Sequence, residues 1–145
     1  MEKYNDFEYM TVNDGRILST FPNIGQMLFN SMDEFMVYVD GYHTTKDCFS
    51  KIETELRNAI EKHPKFCTDI SGAYQESVTR SLAHYRKVNE GTQHADAILL
   101  EELFEAVDAY NHCRKEECLK ELAQCGAVII RMMEFVKKEM EGKAV

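Results

Sequence analysis

AILLEELFEAVDAYNHCRKEECLKELAQCGAVIIRMMEFV, residues 97 to 136, is the stretch whose reading decides the fold. Ile98, Leu99, Leu103, Ala106, Val107 and Tyr110 recur at helical spacing and predict a helix from about Gln93 to Tyr110. The polar run Asn111 to Lys115 makes a turn, after which Leu119, Leu122, Ala123, Gly126 and Ile129 open a second helix reaching about Lys138. A short connection makes two such helices antiparallel neighbours. Acids crowd this hairpin: Glu101, Glu102, Glu105 and Asp108 on the first arm, Glu116, Glu117 and Glu121 on the second. With the turn centred near Cys113, equal distances along the arms pair Glu105 with Glu121 and Glu102 with Gln124. Helix axes pack about 8 to 10 Å apart, a gap that side chains of this length bridge through a divalent cation.

Like charges brought together and partly desolvated are expensive, at about 1.4 kcal/mol for each tenfold change in a protonation equilibrium. A hard cation removes that cost. Magnesium takes oxygen ligands in octahedral geometry and commonly combines a few carboxylates with substrate phosphates. The competing reading is a solvated acidic face, the ordinary setting of helical glutamates. Residues 122 to 136, almost continuously apolar, speak against it, because a helix apolar on nearly all sides is a central one and places Glu121 and Gln124 at the border of a core.

E-E-x-x-E at Glu101, Glu102 and Glu105, followed after fifteen intervening residues by E-x-x-Q at Glu121 and Gln124, resembles the paired motif of the MazG-like all-α nucleoside triphosphate pyrophosphohydrolases. The flanking ELAQCGAVIIRMMEFV is similar to the second motif helix of phage and prophage members, and AIEKHPKFCTD, Ala59 to Asp69, to a segment preceding the first motif in some of them. The similar segments cover about half the chain, and residues 1 to 45 have no part in them. The resemblance implies hydrolysis of a nucleoside triphosphate to the monophosphate and pyrophosphate. It implies Mg2+, or Mn2+ in its place, held by Glu102, Glu105, Glu121 and Gln124, with Glu101 orienting or deprotonating the attacking water. It also implies paired subunits, as a homodimer or a higher homo-oligomer that completes the bundle.

Two departures from the family pattern bear on this. Its second half is normally E-x-x-D, so Gln124 keeps an oxygen and loses a negative charge; Asp108, one turn beyond Glu105, is the nearest compensation by spacing. Phe104 stands where the family often has a small residue, either narrowing the approach or packing in the core. For the substrate phosphates the candidates are Arg131, two turns beyond Gln124, and Lys120 near the turn, with a snorkelling or exposed Arg131 as the alternative. A relative that binds nucleotide or metal without turnover, and a helical interaction module with acids as surface charge, remain the other two readings.

Seventeen basic against 25 acidic residues give a formal net charge of -8, which repels a nucleic acid backbone and offers it no basic stripe. No apolar run approaches the about 20 residues that span a bilayer, and MEKYNDFEYM lacks the basic and apolar regions of a signal peptide. A cytoplasmic protein is expected. The five cysteines, 48, 67, 113, 118 and 125, are an odd number without C-x-x-C spacing and read as reduced thiols.

From the N-terminus, residues 1 to 22 mix aromatics with Asn, Asp and Gly and show no helical stripe, which leaves an irregular arm, either ordered or flexible, as the expectation. Leu28, Met32, Phe35, Met36 and Val39 predict a helix from Asn23 to Asp40 that stops at Gly41, and Phe49, Ile52, Leu56, Ala59 and Ile60 a second one ended by His63-Pro64. Ser71 is placed to cap a third helix from about Gly72 to Val88, which either packs or covers the site and supplies Arg80, Arg86 or Lys87 to phosphates. The 145 residues therefore read as a single all-α domain, a bundle of about five helices built around the motif hairpin at 93 to 138.

Overall fold

Residues 2 to 29 form a sheet, and this overturns the all-α expectation. In the computed structural model, which describes residues 1–65, 70–72 and 74–142, the strands are β1 (Glu2–Tyr4), β2 (Phe7–Thr11), β3 (Ile17–Phe21) and β4 (Gly25–Phe29). They pair antiparallel in the order β1-β2-β3-β4. Three local turns write this meander. Asn5 and Asp6 both take positive φ, 44° and 71°, between the paired residues Tyr4 and Phe7, which is the two-residue hairpin turn that matches strand twist. Val12 and Arg16 bracket Asn13-Asp14-Gly15, where Gly15 at φ 84° supplies the left-handed residue and the Asp14 carboxylate accepts from the Arg16 N–H. Pro22 then starts a tight turn completed by Asn23 at φ 64°.

The sheet buries one face. Phe7, Ile17, Phe21 and Phe29 point into a core closed by Phe35 and Val39 from the helix that follows, with Tyr4, Tyr9, Tyr38 and Tyr42 at its margin. Ser19 also faces inward, and its hydroxyl donates to the Glu8 carbonyl at 2.8 Å, so a polar residue sits at an apolar position without an unmet bond.

Helices α1 (Met32–Lys62), α2 (Gln75–Asn89), α3 (Ala95–Asn111) and α4 (Lys115–Met140) complete the described residues, four helices where about five were expected. The two predicted N-terminal helices are one. The first of them begins later, because Asn23 to Phe29 belongs to the β3–β4 hairpin, and Leu28, assigned to its apolar face, is 44% exposed on β4. Ser31 accepts from the Glu34 N–H while Glu34 accepts from the Asn30 N–H, a reciprocal cap that starts α1. Gly41 does not stop it. A helical glycine costs about 1 kcal/mol relative to alanine, and burial of Phe35 and Val39, six and two residues earlier, outweighs that.

The chain divides into two compact units, Met1–Lys51 and Ile52–Val145, with the division falling within α1. In the second unit α3 packs against both α2 and α4. The contact side chains are small, with Ala106, Ala109 and Cys118 forming a buried cluster under Tyr110; Ala97 of α3 and Cys125 of α4 are buried too. The α3–α4 turn falls where the polar run Asn111 to Lys115 predicts it, and Cys113 takes φ 59° at its centre. Part of the Ala59 to Asp69 segment, and Cys67, lie outside the described residues.

Candidate metal centre

Glu102 and Glu105 lie one turn apart on α3 and Glu121 lies on the facing side of α4, two turns beyond the hairpin turn. One carboxylate oxygen from each falls within 4.8 Å of the other two. Glu121 is 7% exposed, and Glu102 and Glu105 are half-buried. Three acids at this separation and depth do not tolerate three full charges. Burial first, then a hydrogen bond to Glu121, then the charges of Glu121, Glu105 and Glu101 push the Glu102 carboxyl up to about 7. Near neutral pH a large fraction of Glu102 therefore carries its proton.

Buried oxygens of two cluster acids, and of Gln124 one turn beyond Glu121, lack partners. Glu102 Oε2, Glu121 Oε2 and Gln124 Oε1 are each buried without a hydrogen bond. A buried acceptor left unmet costs about 1 to 3 kcal/mol, and three of them in one hairpin, all hard oxygen donors, fit a divalent cation of the magnesium or manganese type.

Of the other expected residues, Glu101 and Lys120 border this centre, while Arg131 and Asp108 take partners elsewhere. Glu101 Oε2 accepts from Asn89 Nδ2 at 2.5 Å, and its other oxygen stands 4.0 Å from Arg86 Nε. Lys120 is 73% exposed with Nζ 4.0 Å from Glu121 Oε1. Arg131 is 82% exposed and pairs at 3.6 Å with Glu134 on its own helix. Asp108 accepts from Gln75 and from Arg114, both at 2.7 Å, so this carboxylate ties α2 and the hairpin turn together instead of making up the charge that Gln124 lacks. Phe104 stacks on Tyr85 of α2, ring centres 6.0 Å apart and planes 11° from parallel, and so packs rather than closing the approach.

Helix α2 brings Arg86, one of the cations the sequence offered to phosphates, onto a carboxylate instead. Arg86 donates to Glu105 Oε1 from Nη2 at 2.7 Å and from Nε at 3.2 Å. Asn89, read in the sequence as part of a helix stop, also donates to the Ala97 carbonyl and so fixes α2 to the start of α3 beside Glu101. The sequence placed Arg86 in the last turn of this helix as a candidate for phosphates, but it could not name Glu105 as its partner. No family model matches the chain, and no curated protein or solved structure matches it either.

The raised Glu102 carboxyl has a measurable consequence. Glu102's folded pKa is raised above its ordinary value near 4.5, so the stability its protonated form contributes is fully present below about pH 4.5 and is lost as pH rises through about 7. The expected loss is about 1 to 2 kcal/mol after discounting for solvent screening of a half-buried group. Metal-free protein is expected to melt at a lower temperature at pH 8 than at pH 5, and Glu102→Gln to flatten that fall. Parallel profiles for parent and variant would show that Glu102 does not carry the pH dependence.

Proposed function

We propose that the chain is a magnesium-dependent nucleoside triphosphate pyrophosphohydrolase of the MazG-like, phage or prophage type, releasing the monophosphate and pyrophosphate. The observation that carries the reading is the meeting of Glu102, Glu105 and Glu121 within 4.8 Å, with partnerless buried oxygens on Glu102, Glu121 and Gln124. Phosphoryl chemistry asks little covalent help of a protein; it asks for positioned charge. A bound divalent ion would neutralise charge on the phosphates and lower the pKa of a coordinated water. Glu102, Glu105, Glu121 and Gln124 are the residues to hold it. Glu101, fastened by Asn89 at the flank of the cluster, orients or deprotonates the attacking water, and exposed Lys120 and Arg131 are the cations that reach for phosphate.

A second copy of the chain is the partner this reading implies. Leu119, Leu122, Phe135 and Val136 of α4, between 40% and 70% exposed, supply apolar surface for it. Among the described residues no helix is long and apolar enough to cross a membrane, and the proposed setting is the cytoplasm.

Gln124 favours one competing reading, a relative that binds nucleotide or metal without turnover. The deciding experiment is pyrophosphate release from a panel of ribo- and deoxynucleoside triphosphates with Mg2+ or Mn2+. Release by the parent, lost in Glu105→Gln, is the expected outcome. Folded parent protein that releases nothing under any of these conditions would overturn the enzyme reading, and activity gained in Gln124→Asp would then identify the missing charge as the cause.

A further inference from the structure

The acid cluster already carries a cation of its own. Arg86 reaches in from α2, its side chain 55% exposed, and bonds to Glu105 Oε1 through two nitrogens while standing 4.0 Å from Glu101 Oε1. Its fork meets only this side. Glu102 Oε2, Glu121 Oε2 and Gln124 Oε1 stay buried and partnerless, and Glu121, at 7% exposure, is the one charged side chain among the described residues that is buried. A guanidinium cannot enter that enclosed part, and a divalent ion that did so would share Glu105 with a second positive charge.

We propose that Arg86 is the resident counter-cation of the cluster, which leaves Glu105 when a divalent ion binds and then meets the phosphate oxygens of the incoming triphosphate. This rests on the cluster being the metal platform of a triphosphate hydrolase. The chemistry of both states suits a guanidinium, since its planar fork matches carboxylate and phosphate alike and stays charged throughout. The Glu105 hydrogen bond, set against partial burial, holds Arg86 even more firmly protonated than an ordinary guanidinium. Its exposed stem gives it a path outward through solvent, where substrate arrives. Arg86 on this account both competes with the ion and recruits the substrate, so its removal should move the two affinities in opposite directions.

The test compares the full-length parent with Arg86→Gln and Arg86→Lys. Mn2+ alone is titrated by calorimetry, and KM and kcat are then measured for the best triphosphate. Arg86→Gln is expected to bind Mn2+ about tenfold more tightly, the effect of deleting one positive charge beside the site, and to raise KM about tenfold with a much smaller change in kcat. Arg86→Lys, which keeps the charge and loses the fork, is expected to match the parent's ion affinity and show an intermediate KM. An arginine that only braced α2 against α3 would instead lower the melting temperature and loosen the ion. Unchanged or weaker Mn2+ binding in Arg86→Gln, from a parent that does bind Mn2+, overturns the counter-cation role and leaves the metal platform standing. An unchanged KM overturns the phosphate role, and a parent that binds no Mn2+ overturns the inference together with the platform.

Discussion

Glu121→Gln is expected to cut pyrophosphate release by at least about 100-fold and, in the same protein without metal, to raise the melting temperature by a few degrees. The two signs come from one cause. Glu121 is the most buried of the three carboxylates, and one of its oxygens has no hydrogen-bond partner. Held so, a carboxylate is a liability to the empty fold, because its charge is desolvated beside Glu102 and Glu105. Glutamine keeps the shape and removes the charge, relieving about 1 to 2 kcal/mol of repulsion. The same change removes an anionic ligand; even partners one step removed from a metal cost about 10- to 100-fold when lost. Heat denaturation followed by circular dichroism, beside a pyrophosphate assay, reads both. A buried glutamate serving structure alone would give the reverse pattern, with activity kept and stability lowered, and that result would sink the metal platform.

Phe35→Ala is expected to cost about 3 to 5 kcal/mol and to unfold the N-terminal unit. Phe35 is fully buried, and its ring meets Tyr4, Tyr9, Phe21 and Phe29, one aromatic from each strand. The unit is Met1–Lys51, a size at which a single core yields only a few kcal/mol of net stability. Removing its central ring should therefore take most of what holds sheet and helix together. Loss of the near-ultraviolet tyrosine signal and rapid proteolysis before Lys51 are the readouts. Val37→Ala, two positions along α1 and 74% exposed, should change stability by no more than about 0.5 kcal/mol. If Phe35→Ala melts within a degree or two of the parent, the sheet does not depend on the α1 face that covers it.

The hairpin was legible because a helix closes its hydrogen bonds within its own residues. Its apolar period, its polar turn at Asn111 to Lys115 and the facing positions of Glu102, Glu105 and Glu121 are all written in consecutive sequence. The turns of the sheet were equally present, in Asn5-Asp6, Asp14-Gly15 and Pro22-Asn23. Its strands were not recognised, being three to five residues long and broken in their alternation by inward Ser19. Ser19 is tolerable only because the Glu8 carbonyl of the neighbouring strand accepts its proton. A strand's rule thus depends on a partner strand, whereas a helix's does not.

The same division runs through the candidate site. Sequence alone determined which acids share the facing sides of α3 and α4 and where the chain reverses between them, since both follow from the helical repeat and the length of one turn. Only tertiary structure decided that Arg86 and Asn89 of α2 take hold of Glu105 and Glu101, that Asp108 is drawn to Gln75 and Arg114, and that Arg131 pairs with Glu134 in solvent. Those choices depend on how one helix lies against another, and that is set by the summed packing of small side chains such as Ala97, Ala106 and Ala109, a quantity no single spacing in the chain encodes.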